Sequence, residues 1–235
     1  MQTLGDRRPP GASVPAFNIT RAVGILMAVN VAVHILRLLL PDDMAVHLLI
    51  YLGFAPSNYF DAAGAFAPPA LLSAYSAPVT YGFLHADVMH LLMNMAFLLA
   101  FGTGVERRLG AMRFFVFFLV VLVAATAGTV VMYLHTGQTV LVVGASGAVS
   151  GLFGAVLRFA FPSRPHLRPA GQRRASNPAL IAAVAFVAVN LIFGISGVDP
   201  FGAVRAIAWE AHLAGFVAGY LLFPLFEPRH RGPAI

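Results

Sequence analysis

Six long apolar runs alternate with short polar segments along the chain. A bilayer core of about 30 Å is crossed by about 20 residues of α-helix at a rise of 1.5 Å per residue, so each run is long enough to be a transmembrane helix. Strands of a membrane barrel would be about half as long and would alternate apolar with polar side chains. The predicted spans cover residues 22–40, 82–102, 114–134, 139–157, 179–197 and 206–226.

The composition indicates a membrane protein rather than a soluble one. Only 10% of the 235 residues are charged and 59% are hydrophobic, whereas about a quarter of a soluble domain is charged. The absence of cysteine excludes disulfides and a cysteine nucleophile. We therefore predict an all-α membrane protein, a six-transmembrane-helix bundle over residues 19–228 with short tails at 1–18 and 229–235.

The distribution of arginine predicts how this bundle is oriented. All 15 basic residues are arginine, and most lie in the N-terminal segment, in segments 103–113 and 158–178, and in the C-terminal tail. Segments rich in basic residues stay on the cytoplasmic side of a membrane, so we expect both the N- and C-termini to be cytoplasmic. The net charge of +6 is explained by these loops, and no nucleic-acid partner is expected.

Three of the predicted spans carry polar side chains, which are costly in lipid and by default indicate a functional site. These spans run in the same direction, and the polar residues lie in the outer half of each. We therefore expect them to share one hydrated pocket at a similar depth. They are His85, His90 and Asn94 in the second span, Ser146 and Ser150 in the fourth, and Glu210 and His212 in the sixth.

Glycines surround the two residues best suited to nucleophilic catalysis, Ser146 and His212. Small residues let membrane helices approach closely, and such an approach can bring a serine hydroxyl within about 2.6–3.2 Å of an imidazole. The chain has no H-E-x-x-H motif and no aspartate pair within its spans, so Ser and His are the only nucleophile and base there. The glycines are Gly144, Gly147, Gly151 and Gly154 in the fourth span and Gly215 and Gly219 in the sixth.

Each of these features has a simpler explanation when taken alone. A single serine in a membrane helix usually bonds to the backbone one turn back, and a glycine pattern alone indicates packing. A zinc or haem site is disfavoured because His85 and His90, five residues apart, point about 140° from each other on a helix. We predict no metal and no cofactor. Asn190 in the fifth span is interpreted only as a helix–helix contact.

Taken together, the motifs resemble those of the rhomboid family of intramembrane serine proteases. Gly144-Ala145-Ser146-Gly147 resembles the family's G-x-S-G nucleophile motif on the fourth span. Residues 211–219 are similar to its A-H-x-x-G-x-x-x-G on the sixth span, and residues 85–94 to its H-x-x-x-x-H-x-x-x-N on the second. All three motifs occur in order and in the matching spans, and the six-span layout covers nearly the whole chain.

Two features depart from the family pattern. The first outer loop commonly carries a Trp-Arg pair, whereas residues 41–80 contain neither Trp nor Arg, so this interfacial loop must be anchored differently. An aromatic residue often lies four positions after the nucleophile, against the catalytic imidazole, and here that position is Ser150. Phe153 and Trp209 are the predicted alternatives for holding His212.

The resemblance implies a role for each residue. Ser146 would attack the peptide carbonyl, and His212 would act as general base and then general acid. His90, Asn94 and the Ser146 backbone N–H would form the oxyanion hole, and His85 would organise water for deacylation. Gly144, Gly147, Gly151, Gly215 and Gly219 would be structural.

The implied function is hydrolysis of a peptide bond in or near the transmembrane segment of membrane-protein substrates. The expected partners are such proteins and the lipid bilayer, and the oligomeric state stays open. We expect a multi-pass protein of a prokaryotic inner membrane whose site opens to the periplasmic or extracellular side. Two alternatives are a non-cleaving relative that binds membrane proteins and a six-span transporter. The presence of Ser146 and His212 favours the enzyme, and no inverted repeat supports a transporter.

Overall fold

The chain is an integral, multi-pass, α-helical membrane protein. The computed structural model describes residues 19–60, 71–160, 177–197 and 208–228, so both predicted tails lie outside the described residues. Five helical stretches in the described residues are long and apolar enough to cross a membrane: Arg21–Leu38, Val88–Leu109, Ala111–Thr136, Pro178–Ser196 and Trp209–Phe226. The fourth predicted span corresponds to a shorter helix, Ser146–Ala160.

The helices are numbered in chain order. The first span is α1 (Arg21–Leu38), and the segment after it contains α2 (Asp42–Leu52), α3 (Ser57–Phe60) and α4 (Leu71–Thr80). The second span joins α5 (Val88–Phe97) to α6 (Thr103–Leu109) through a π-helical turn, Leu98–Gly102. The remaining helices are α7 (Ala111–Thr136), α8 (Ser146–Ala160), α9 (Pro178–Ser196) and α10 (Trp209–Phe226).

Two helices begin later than the apolar pattern predicts. Residues Tyr81–Phe83 form a 3-10 turn, and α5 begins only after Asp87, whose side chain accepts a hydrogen bond of 2.9 Å from the His90 backbone N–H. This N-cap bond fixes the start of the helix. In α8, Gly144 has a φ of +114°, a backbone angle that ends any helical path before Ser146. Apolar composition alone cannot locate such starts.

Glu106 is a buried carboxylate that caps the first helix. It accepts hydrogen bonds from the backbone N–H groups of Ala22 and Val23 at 2.9 and 2.8 Å, and from the Thr20 hydroxyl at 2.5 Å. The first N–H groups of a helix have no partner within the helix, and a negative charge there also meets the positive end of the helix dipole. Glu106 therefore joins the second span to the start of the first.

Glu106→Ala should destabilise the protein by about 2–4 kcal/mol, because it leaves two buried backbone N–H groups and the part-buried Thr20 hydroxyl without an acceptor. Glu106→Gln should lose less, since its amide oxygen still accepts. The measurement is thermal unfolding in detergent, with Arg107→Ala as the exposed control on the same helix. A melting temperature for Glu106→Ala equal to that of the control would contradict the cap.

Hydrogen bonds to backbone carbonyls anchor the described part of the interfacial segment that lacks a Trp-Arg pair. Phe54 and Val142 form an antiparallel bridge with N···O distances of 3.0 and 2.7 Å. The Thr80 hydroxyl donates to the Leu52 carbonyl at 2.7 Å. Arg37, at the end of α1, donates to the Ala86 carbonyl at 2.8 Å just before α5 begins. Backbone carbonyls thus tie this segment and the loop before α5 to the bundle.

Candidate active site

The first turns of three helices meet at the candidate site. His90 is the third residue of α5, Ser146 is the first residue of α8, and His212 is the fourth residue of α10. Each helix N-terminus carries a partial positive charge and backbone N–H groups without helical partners. Such a convergence favours negative charge that develops between the three helices.

Ser146 and His212 are in direct contact across 66 positions of sequence. The Ser146 hydroxyl oxygen lies 2.8 Å from His212 Nε2, within hydrogen-bond distance. This is the separation at which an imidazole can take the hydroxyl proton as the oxygen attacks a carbonyl. The two side chains named by sequence for the nucleophile and the base therefore have a geometry suited to those roles.

Glycines bring α8 and α10 into backbone contact beneath this pair. A Cβ at Gly215 would overlap the carbonyl oxygen of Gly147, and a Cβ at Gly219 would overlap that of Gly151. Gly151 is equally restricted, since its Cβ would lie 2.7 Å from the Gly215 carbonyl oxygen. No side chain fits between the two backbones at these positions, and the short Ser146 side chain can therefore reach His212.

Gly144 serves a different purpose from the packing predicted for it. It lies before α8, and its φ of +114° is a conformation that favours glycine. A Cβ at this position would lie 2.7 Å from His90 Nε2 and 3.7 Å from the Ser146 hydroxyl oxygen. Gly144 thus turns the chain into α8 and leaves the space that the His90 imidazole occupies beside the nucleophile.

His90 and Asn94 line the same cavity as Ser146 and His212. The Asn94 amide nitrogen donates one hydrogen to the His90 carbonyl at 2.9 Å, and its second hydrogen is left for another acceptor. The Ser146 N–H is the first of α8 and has no acceptor within that helix. Three groups that can donate hydrogen bonds, from His90, Asn94 and the Ser146 backbone, therefore lie around Ser146, as an oxyanion hole would require.

His85 lies behind His90 rather than beside the nucleophile. It is in the loop before α5 rather than in a span, and it is fully buried. Its ring centroid is 5.1 Å from that of His90 in an edge-on arrangement, and it is not among the described residues that line the cavity. Burial, more than the neighbouring His90, lowers the pKa of His85 to about 3, so its imidazole is neutral.

Asn190 contacts the base, and the sequence interpretation missed this role. His212 Nδ1 lies 2.7 Å from the Asn190 side-chain oxygen. The predicted alternatives lie elsewhere: the Phe153 ring contacts Phe186 and Phe216, and the Trp209 ring packs over Gly194. The only sequence signal was an amide inside an otherwise apolar span, which is costly in lipid unless the amide has a partner.

A cavity of about 800 Å³ opens beside the Ser146–His212 pair. It lies between α5 and α9, and α8 forms its floor. Its walls are mainly apolar, and the polar groups gather at the end where Ser146 lies. The lining includes Met89, His90, Met93, Asn94, Phe97 and Phe101 on one side, Ser146, Val149, Ser150 and Phe153 below, and Ala185, Phe186, Val189, Asn190, Phe193 and His212 opposite.

His90→Ala and Asn94→Ala should each lower kcat by about 10²-fold without moving the cleavage position, because each would remove one oxyanion donor. The measurement is turnover of a transmembrane substrate, with mass spectrometry of the products. Met93→Leu is a suitable control, since it lies between the two on α5 and keeps its bulk. Wild-type turnover in both alanine variants would mean that these polar residues are structural.

Comparison with known proteins agrees with the arrangement of these residues. A family model described as "Rhomboid domain" matches residues 73–229, a range that includes every side chain placed around the cavity. RHOMBOID-like protein 4 of Arabidopsis thaliana is 36% identical over 153 residues, which are 63% of this chain and 34% of that protein.

Two further relatives match at lower identity. RHOMBOID-like protein 6, mitochondrial, of Arabidopsis thaliana is 30% identical over 152 residues, which are 64% of this chain and 44% of that protein. Rhomboid protease GluP of Bacillus subtilis (strain 168) is 30% identical over 140 residues, which are 58% of this chain and 23% of that protein. The chain thus spans less than half the length of each of these relatives.

Proposed function

Because the chain belongs to the rhomboid family, we propose that it is an intramembrane serine endopeptidase that cuts other membrane proteins in or near a transmembrane segment. The observation that carries this proposal is the 2.8 Å contact between the Ser146 hydroxyl oxygen and His212 Nε2. A nucleophile and a base at this distance, beside three hydrogen-bond donors, form a set suited to acyl transfer. The relative named a rhomboid protease supports the same activity.

The reaction would proceed in two halves. Ser146 attacks the peptide carbonyl while His212 Nε2 takes the hydroxyl proton, and the resulting oxyanion is bound by donors from His90, Asn94 and the Ser146 backbone N–H. His212 then gives its proton to the leaving amine, which leaves an acyl group on Ser146. Water, deprotonated by the same imidazole, attacks this ester and releases the second product. The proposed enzyme needs no metal or cofactor.

Substrate selection would depend on the cavity between α5 and α9. Its apolar walls suit an apolar transmembrane segment, and its polar end lies at Ser146. A peptide bond within an intact helix is shielded and has its carbonyl engaged, so the substrate must be locally unwound there. Segments with Gly or Pro near the cleavage position meet this requirement at the lowest cost.

The proposed membrane arrangement uses six spans, with α8 as the short fourth span. Its 15 residues extend about 22 Å, less than the bilayer core, so Ser146 at its N-terminus would lie below the membrane surface. The arginine distribution supports cytoplasmic termini and a site that opens to the outer side, and the membrane proposed is a prokaryotic inner membrane.

A fluorophosphonate probe tests this proposal directly. The protein is reconstituted with a transmembrane substrate in liposomes, and labelling and cleavage are measured together. We expect substrate cleavage and a single adduct that mass spectrometry assigns to Ser146. Substrate binding without adduct or cleavage would replace the proposal with a non-cleaving binder, and solute flux without either would replace it with a transporter.

A further inference from the structure

Three layers, each a pair of facing residues with one from α9 and one from α10, form the interface between these helices around His212. In the deepest layer, the rings of Phe186 and Phe216 stack with centroids 4.9 Å apart. One turn along, Asn190 and His212 form their 2.7 Å contact.

In the third layer, a Cβ at Gly194 would lie 2.8 Å from Trp209 Cβ, so the indole is seated directly against the α9 backbone. The spacing of four residues on α9 and three or four on α10 keeps all three layers on one face of each helix. The polar pair is therefore enclosed between two aromatic layers.

A second hydrogen bond fixes which end of the Asn190 amide faces the base. The Asn190 amide nitrogen donates to the Phe186 carbonyl at 2.9 Å. A carbonyl can only accept, so this position must hold the amide NH₂, and the amide oxygen is left to face His212.

Because that oxygen also can only accept, His212 Nδ1 must carry the hydrogen. A neutral imidazole with its hydrogen on Nδ1 presents a lone pair at Nε2, the atom that faces Ser146.

We infer that Asn190 is a positioning residue for the catalytic base, which holds His212 in the tautomer and orientation that activate Ser146. This inference rests on the proposed serine-protease activity and adds a third member to the pair. The chain of contacts runs from the Phe186 carbonyl through Asn190 and His212 to Ser146, with distances of 2.9, 2.7 and 2.8 Å. Orientation of the base by a third group is general among enzymes of this type.

The same contact explains how the site functions with Ser150 in place of an aromatic residue. A ring stacked on His212 would restrict its rotation by packing, whereas Asn190 restricts it by a directed hydrogen bond. The bond persists when His212 becomes charged, because Nδ1 still donates to the amide oxygen. Aromatic side chains pack on either side of this bond along the two helices.

The position of Asn190 also makes the base depend on α9. No residue of this helix is buried, and it forms one wall of the substrate cavity. A displacement of α9 that separates the Gly194–Trp209 layer would lengthen the Asn190–His212 bond one turn away. Activation of Ser146 therefore depends on the position of α9 relative to α10.

The test is a comparison of Asn190→Leu, Asn190→Asp and the control Ile192→Leu in steady-state cleavage. Leucine keeps the volume but removes the acceptor, and we expect kcat to fall by about 10–10²-fold with KM nearly unchanged. Aspartate keeps an acceptor oxygen and should retain more of kcat than leucine. Ile192 is 62% exposed on the same helix, and its substitution should leave both constants at wild-type values.

A tautomer measurement provides a readout that does not need activity. In ¹⁵N-histidine-labelled Ser146→Ala protein, the His212 signal, assigned by its loss in His212→Gln, should report hydrogen on Nδ1. The added Asn190→Leu substitution should abolish that preference.

Wild-type kcat in Asn190→Leu, equal losses in the leucine and aspartate variants, or an unchanged tautomer would each overturn the positioning role. An inactive wild-type protein would instead refute the protease proposal, and the tautomer result would still decide the role of Asn190.

Discussion

Ser146→Ala should lower kcat by about 10⁴-fold or more, and His212→Ala should lower it by a comparable factor. The alanine at 146 removes the attacking oxygen, and the alanine at 212 removes the imidazole that lies 2.8 Å away and can take its proton. Because the two residues act as one unit, the double variant should be no slower than either single variant. Cleavage of a reconstituted transmembrane substrate over a long time course measures all three.

Loss of activity must be separated from loss of structure. Within the described part of the chain, the Ser146 side chain bonds to His212, so Ser146→Ala should insert, purify and melt like the wild-type protein. Ser150→Ala, one turn further along α8, is the matched control and should keep near-wild-type cleavage. Cleavage that survives in purified Ser146→Ala would refute the serine-protease proposal outright.

Gly215→Val should abolish cleavage by separating the two helices that hold the pair. A Cβ at this position would overlap the Gly147 carbonyl oxygen, which is backbone and cannot rotate away. Ser146 is the neighbour of Gly147 on α8, and His212 lies one turn before Gly215 on α10, so any relief of the overlap lengthens the 2.8 Å contact. A misplacement of about 1 Å costs about 10²-fold in rate, and valine requires a larger displacement.

The experiment measures fluorophosphonate labelling and thermal unfolding together. Gly215→Ala introduces a smaller side chain than valine. It should lower the labelling rate while a folded fraction remains measurable. Gly104→Ala is the control, because its new Cβ would meet only the Phe159 ring at 3.8 Å, an ordinary contact. Wild-type labelling in Gly215→Val would show that the close approach of α8 and α10 is not what brings serine and histidine together.

The apolar pattern predicted the order of the long helices better than it predicted where they begin. The second run begins at residue 82, but α5 begins at Val88, where the Asp87 cap is satisfied. The fourth run begins at residue 139, but Gly144 delays α8 to Ser146. Lipid exposure requires apolar residues in extended and helical segments alike. Local hydrogen bonds and backbone angles decide whether a segment is extended or helical, and hydropathy contains no information about either.

The candidate site also has features that the sequence predicted and features that it did not. Sequence motifs pointed to Ser146, His212, His90 and Asn94 as candidates, because their residue types are costly in a membrane and their spacing matches that of a known family. Helical periodicity also indicated that Gly147, Gly151, Gly215 and Gly219 face a neighbour, and the structure shows that α8 and α10 meet there. These predictions need only the chemistry of each residue type and the positions of residues on a single helix.

Asn190 and Glu106 show what only the tertiary structure decided. Asn190 is 22 positions from His212, and Glu106 is 84 positions from the Ala22 N–H that it caps. In the sequence each is a single polar residue without a motif, and its partner lies on another helix. Which helices are neighbours, and at what register, depends on the packing of all of them together. The sequence by itself thus determined a helical membrane protein and pointed to Ser146 and His212 as its candidate reactive pair, and helix packing decided what contacts His212 and what joins the first span to the second.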